Sequence, residues 1–299
     1  MALSILSNPA ASSAAFSLNK NSAKLQQSLN RLSSGKKITT PADDAGGLAV
    51  SMKLSSAITR NRSVISNIQN ALSFAEVQDG ALTSAATIVN RMAELKSMSM
   101  DVLKSSSDKA NYNVEFQALQ TQLHSIASEA FNGVTLFSSE SSKTFGMHAV
   151  NVTIFTSDLG ANGSTVSLGK ALLVSAVTFT SGTSTAAAAA GATGSKSLAV
   201  ASGGSKVSVG ELGVSFFTKA LENIATLRAT NAAGMARLQL AEDHARLTMA
   251  NLEAANSRIM DVDVAEESTR FAKYNILTQA SAAMLSQANQ ASSTALLLL

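Results

Sequence analysis

The chain has 299 residues, a formal net charge of +3, 45% apolar residues and only 4% aromatics. It contains no Cys, which excludes disulfides, thiolate metal sites and a thiol nucleophile. The mild charge, with no basic stretch interleaved with aromatics, argues against nucleic-acid binding, and a core of Ala, Leu, Ile, Val and Met suits packed helices better than a β-sandwich.

Residues 10–33 read as a helix, with Leu18, Leu25, Leu29 and Leu32 spaced as a coiled-coil stripe. Gly35 is a helix stop. Thr40-Pro41-Ala42-Asp43 reads as a restart, with Thr40 as N-cap and Pro41 at the first helical position. Asp43 and Asp44 then sit on the positive end of the dipole. Gly46 and Gly47 are expected to allow close approach of neighbouring backbone. Residues 1–40 carry Lys20, Lys24, Arg31, Lys36 and Lys37 and no acid, a composition shared with organelle transit peptides. The leucines keep helical register past residue 30, however, and no cleavage site is evident. "MALSILSNPAASS" lacks the basic start and long apolar run of a secretory signal, and the terminal "LLLL" is too short to span a bilayer.

A long second helix is expected over 43–105, with Ile58, Ile65, Ile68, Leu72, Leu82, Val89, Met92, Leu95 and Val102 on its stripe and Asp79-Gly80 as its weak point. A third, over 110–130, aligns Phe116, Leu119, Leu123 and Ile126, and Asn132-Gly133 within "FNGVTLF" signals a hairpin turn. Between 138 and about 210 the chain becomes rich in Ser and Thr. The runs 150–155, 171–179 and 205–217 read as β-like pieces of an exposed insertion, and 181–204 reads equally well as a linker.

Helix resumes with Leu221, Ile224, Met235, Leu238, Ala245, Met249, Leu252 and Ile259, interrupted by Arg228, Asn231 and Glu242 as in register-controlled coiled coils. "RIMDVDVAEE" supplies a second elbow, at Asp261 and Asp263. A final helix then runs through Phe271, Leu277, Met284 and Leu285, with no charged side chain from Tyr274 onward. Helical stripes at both ends must be covered, so the two ends should pack on each other. The expected class is mainly α: a long antiparallel coiled-coil rod formed by both chain ends, with a β-hairpin and a small β-rich inserted region in the middle. The apolar surface at the ends exceeds what two helices bury, which calls for further copies or a chaperone.

No constellation supports catalysis. His124, His148 and His244 pair with nothing at ligand spacing, and adjacent Asp43 and Asp44 point about 100° apart on a helix, which suits capping rather than a dyad. Gly46-Gly47 lacks the phosphate-loop pattern, and Asp261 with Asp263 lacks the other positions of a calcium loop. The reading is a non-enzyme with no cofactor and no metal.

"SLNRLSSGKKITTPADDAGGLAV" resembles the N-terminal signature of bacterial flagellin, "FNGVTLF" its turn before the variable region, and "SRIMDVDVAEESTRFAKYNILTQASAAMLSQANQ" its C-terminal signature. The resemblance covers about 1–137 and 216–299. It implies a structural subunit of the flagellar filament that self-assembles into a helical tube used for swimming motility. It also implies an inner domain (1–42 plus 260–299), an outer-tube domain (43–137 plus 216–259) and a variable surface-exposed insertion (138–215). By the same resemblance the chain is extracellular, exported without a cleaved signal peptide, and does not insert into a membrane. Its partners are then copies of itself, a secretion chaperone, the filament cap and hook–filament junction proteins. Arg91, Leu95 and Glu115 match the family's contacts with an animal innate-immune receptor, although Asn90 and Ala93 depart from the usual residues there. A salt bridge between neighbouring subunits is an equally weighty reading of Arg91 and Glu115. The acids of the second elbow are expected to pair with Arg31, Lys36 or Lys37 of a nearby chain. A hook–filament junction protein shares the end architecture, and a coiled-coil adhesin or signalling rod would instead form a discrete oligomer.

Overall fold

The computed structural model describes residues 8–138, 151–179 and 196–297, with side chains of the last helix described to residue 290. His148 and the Ala/Gly run at 184–195 lie outside the described residues. Helix α1 (Pro9–Ser34) opens on Asn8, whose side chain accepts the Ala11 N–H at 3.0 Å, with Pro9 in the first turn. It closes on Gly35 at φ 68°, the left-handed conformation that Gly adopts without steric penalty. Helix α2 (Ala45–Ser99) runs unbroken through Asp79-Gly80. Helix α3 (Ser106–Ala127) starts at a capping box in which Ser105 and Asp108 satisfy each other's backbone N–H.

Strands β1 (Ala130–Phe131) and β2 (Val134–Thr135) form the expected hairpin around Asn132 and Gly133, both at positive φ. Strands β3 (Asn151–Phe155) and β4 (Thr165–Gly169) pair antiparallel in a second hairpin. The alternation of Val166 and Leu168 with exposed neighbours marks β4, a signal only five residues long. Two expectations are corrected further on. The run 171–179 contains a short helix, α4 (Leu173–Ala176), before β5 (Thr178–Phe179), which pairs with β6 (Lys196–Ser197). The run 205–217 forms no strand: it makes a single 3₁₀ turn at Val209–Glu211 and then enters α5 (Val214–Met260). Helix α6 (Val264–Leu297) completes the chain.

The chain divides into two compact units: Met1–Thr59 with Met249–Leu299, and Arg60–Thr248. In the second unit one apolar cluster joins Leu82, Val89, Met92 and Leu95 of α2 to Phe116 and Leu123 of α3 and to Phe217 and Ile224 of α5. Phe116 and Phe217 meet edge to face, with centroids 6.1 Å apart. Leu173, Val177, Leu198 and Val209 are buried in the same cluster, so this part of the stretch expected to be exposed is seated on the helices instead. A second cluster packs Ile154, Val166 and Leu168 of the β3–β4 hairpin on Val64, Ile68 and Leu238.

The polar residues that interrupt the α5 stripe all have partners. Arg228 makes two 2.9 Å bonds to Asp79 at the expected weak point of α2. Buried Asn231 donates to the Ala75 carbonyl at 2.8 Å, and Glu242 accepts from Gln69 at 2.9 Å. Each bond ties one level of α5 to one level of α2, which fixes register.

Because Phe116 is fully buried among facing aromatics, Phe116→Ala should destabilise this unit by about 3–5 kcal/mol, read as a fall in the denaturant midpoint followed by circular dichroism.

Candidate self-assembly surface

Within the first unit, α1 and α6 lie antiparallel. The Asn8 amide donates to the Ala288 carbonyl at 2.9 Å, the Asn21 amide to Ser281 Oγ at 3.0 Å, and Ser28 bonds to Glu267. Along α1 the half-buried positions include Ala11, Leu18, Asn21, Leu25 and Leu32; along α6 they include Phe271, Tyr274, Thr278, Ser281, Leu285 and Ala288. Both sets step by three and four or by seven, so the two helices meet along a heptad seam.

That seam is thin. Ser28 is the only fully buried residue of α1, and the apolar seam residues are merely half covered. Leu29, read from the sequence as part of the stripe, points outward at 51% exposure, and so do Leu277 and Met284. Phe16 and Ile276 join them at 70% and 66%. Helix α6 thus carries a second apolar patch, and α1 two bare apolar side chains about 140° apart around its axis, that nothing among the described residues of this unit covers.

The elbow is fastened to the seam. Asp44, not Thr40, heads α2: its Oδ1 accepts the Gly47 N–H at 2.9 Å and its carbonyl the Leu48 N–H. Thr40 to Asp43 form a turn, so Pro41 lies in that turn and not in the helix. Gly47 is closely approached, but by side chains and not by a neighbour's backbone: a Cβ at this position would come within 2.5 Å of Asp44 Oδ2 and 2.9 Å of Ile38 Cδ1, so both side-chain ends would have to shift. Gly46 meets no such restriction.

Asp43 sits in a cradle of donors. Its Oδ2 accepts the Thr40 N–H at 3.0 Å together with the N–H and hydroxyl of Thr39, and its Oδ1 accepts the Gln27 amide at 2.6 Å. The Thr40 N–H, followed by the Thr39 and Gln27 donors, holds this carboxyl well below the ordinary carboxylate range, against the opposing effect of burial. Arg31 bridges α1 to both elbows, 3.5 Å from Asp43 and 4.0 Å from Glu267. Glu267, itself buried, also lies 3.6 Å from Arg270. Of the acids of the second elbow, Glu267 therefore reaches Arg31 within the same chain.

At Lys36 and Lys37 it is the backbone that bonds. The Lys37 N–H donates to Met260, the Val262 N–H donates to Gly35, and Lys36 and Asp261 form an antiparallel bridge. Asp263 caps α6 through the Ala265 and Glu266 N–H groups. The sequence marked Gly35, Asp43 and the acids from Asp261 to Glu267, but Ser28 and Gln27 gave no local signal, because their roles depend on which residue lies opposite them.

In the second unit Arg91 and Glu115 are exposed and paired at 2.8 Å within one chain, with Glu94 as a further partner of Arg91 at 3.0 Å. Leu95, marked beside them, is fully buried in the helical core, so its side chain faces inward rather than toward solvent. Among the described residues there is no cluster able to hold a metal ion, and no helix long and apolar enough to cross a membrane.

Comparison with known proteins points one way. A model of the bacterial flagellin N-terminal helical region matches residues 5–142, and one of the C-terminal helical region matches 214–299. The chain is 31% identical to the flagellar filament 33 kDa core protein of Treponema phagedenis, covering 98% of both chains. It is 32% identical to a flagellin of Listeria innocua, covering 91% of both. A crystal structure of Bacillus cereus flagellin shares 22% identity at a TM-score of 0.43, over 60% of this chain and 88% of that one.

Since Asp43 ionises far more readily in the folded state, its contribution is complete above the unfolded value of about 3.9 and is lost as pH falls below it. Asp43→Asn should lower the melting temperature at pH 7 and flatten its decline between about pH 4 and pH 2, measured by thermal melts followed at 222 nm.

Proposed function

The chain belongs to the bacterial flagellin family, and from that premise we propose how it serves as a structural subunit of the flagellar filament. The observation that carries the reading is the bare apolar surface on both chain ends: Phe16 and Leu29 on α1, and Ile276 and Met284 on α6, all more than half exposed. Such surface is unstable in water at roughly 25 cal/mol per Å² and is covered by packing against other copies. Assembly then orders the two ends, offsetting an entropy cost of roughly 1–2 kcal/mol per residue through the apolar area that docking buries.

On this reading residues 1–42 and 260–299 form the inner layer of the filament, 43–137 and 216–259 the outer tube, and part of 138–215 faces solvent. Leu18, Leu25 and Leu32 with Phe271 and Leu285 hold the seam within a subunit. Leu29, Leu277 and Met284 reach toward neighbours. The chain leaves the cell without a cleaved signal, held beforehand by a secretion chaperone that covers the uncharged C-terminal helix. It then joins the filament between the cap and the hook–filament junction proteins. The role is mechanical and not catalytic. The exposed Arg91–Glu115 pair is the part of the family's receptor-recognition surface that solvent reaches here, and it also suits a contact between subunits.

Deleting 274–299 should leave a soluble helical monomer that fails to elongate filament seeds. Electron microscopy and light scattering check this, and filaments grown from the truncated chain would contradict it. Leu29→Asp combined with Met284→Asp should likewise abolish elongation, with the helicity of the unassembled chain unchanged.

A further inference from the structure

The loop between α2 and α3 presents apolar side chains where a soluble loop is ordinarily polar. Val102 and Leu103 are each 92% exposed, and Met100 beside them is 60% exposed. The loop is held in shape: the Leu103 N–H donates to Asp101 Oδ1 at 2.9 Å, and the Ser105–Asp108 capping box follows at once. Two aliphatic side chains are thus held out on a braced turn, which gives the unit an apolar knob.

The same unit also carries a matching recess. A cavity of ≈ 310 Å³ opens between α2, the β1–β2 hairpin and the β3–β4 hairpin, walled by Ala71, Phe74, Phe131, Val134 and Phe155, with Asn70 at its edge. Its lining includes no charged side chain. The volume is about that of ten water molecules, ample for an isopropyl and an isobutyl group. Val134 and Phe155 are themselves over 40% exposed, so the recess is an unfinished piece of core.

Knob and recess cannot meet within one chain. Asn70 and Ser99 lie on one continuous helix, and at 1.5 Å per residue they are roughly 45 Å apart. A second copy displaced along the direction of α2 brings them together. Because the two surfaces differ, the contact is heterologous and repeats without closing.

We propose that the Val102–Leu103 tip of one copy seats in the recess edged by Asn70 and Phe155 of the next copy, a head-to-tail contact along the filament. The proposal rests on the filament reading and names one of its interfaces. Asn amides at the recess edge can donate to the Asp101 carboxylate and accept from Lys104, which flank the knob.

The natural absence of Cys makes the test clean. Asn70→Cys with Leu103→Cys in one chain, oxidised after seeded elongation, should give a ladder of dimers, trimers and higher species on non-reducing gels, absent from the unpolymerised protein. Filaments of normal length that yield only monomers overturn the contact and leave the filament reading standing. A ladder that stops at dimers, or a bond closed within one chain, overturns it too. Failure of the unaltered chain to elongate seeds overturns the filament reading and the contact together. As a second measurement, Val102→Ser with Leu103→Ser should raise the critical concentration for elongation by roughly tenfold or more, with monomer helicity unchanged. An unchanged critical concentration overturns the proposal, and this pair decides the matter if the double-cysteine chain does not elongate.

Discussion

Two helices packed side by side can cover only one stripe on each, and this limit governs the terminal unit. A core residue becomes fully buried when neighbours surround it on all sides, as a third and fourth element do around Phe116, Phe217 and Leu123 in the second unit. Among the described residues of the first unit, no third element surrounds α1 and α6 in that way. The seam residues stay half covered, and Phe16, Leu29, Ile276 and Met284 stay largely bare. Burial inside one chain is therefore deep in one unit and shallow in the other, and the shortfall at the chain ends is what polymerisation relieves.

A thin seam also has little steric means of choosing its register, and its polar residues supply that choice. Asn21 reaches Ser281, Ser28 reaches Glu267, and Arg31 spans from Asp43 to Glu267. A slip of one heptad would part Glu267 from Ser28 and Arg31, leaving Arg270 of its own helix as its remaining partner, and removing partners from a buried charge is costly. The main-chain bridge at Lys36 and Asp261 locks the same alignment without regard to side-chain identity. Asp43 adds the angle: the donors that depress its ionisation are the backbone groups that define the turn into α2. The charges at the elbow thus specify geometry, while the greasy faces supply attraction.

The helices were legible from the sequence because their stripes are long and periodic: α1 and the 130–135 hairpin fell where spacing and turn residues place them, and α3 lies a few residues before its expected span. What was not legible depended on contacts distant in sequence. Leu29 satisfies a heptad count yet faces outward, because the seam uses Leu25, Ser28 and Leu32; serine at the centre of that seam reads as a surface residue until Glu267 lies opposite it. The short apolar run of α4 reads as strand because four residues show no period. Thr40 and Pro41 imitate a helix start, but Asp44, with Gly47 three residues on, has the cap geometry. Arg228, Asn231 and Glu242 were recognisable as register devices, although Asp79, Ala75 and Gln69 as their partners were not. The signatures at the two ends placed the chain in its family well before any side chain could be assigned a neighbour.

An assembling subunit faces a requirement that a stable monomer does not: its leftover surfaces must not satisfy each other in pairs. A contact about a two-fold axis closes as a pair and growth ends there, so the bare surfaces of α1 and α6 must at least disfavour pairing with their own kind. They are unlike, one presenting Phe16 and Leu29 and the other Ile276, Leu277 and Met284. They also differ in charge, since Lys20 and Lys24 lie along α1 while α6 carries no charge beyond Tyr274. The basic helix resists stacking on its own kind, and the neutral helix offers no repulsion to it. Like charge thus works against an α1-on-α1 pair, and a contact of α1 with α6 of the next copy repeats without closing wherever the rotation between copies is not two-fold, which is how incomplete burial at the chain ends serves directional growth.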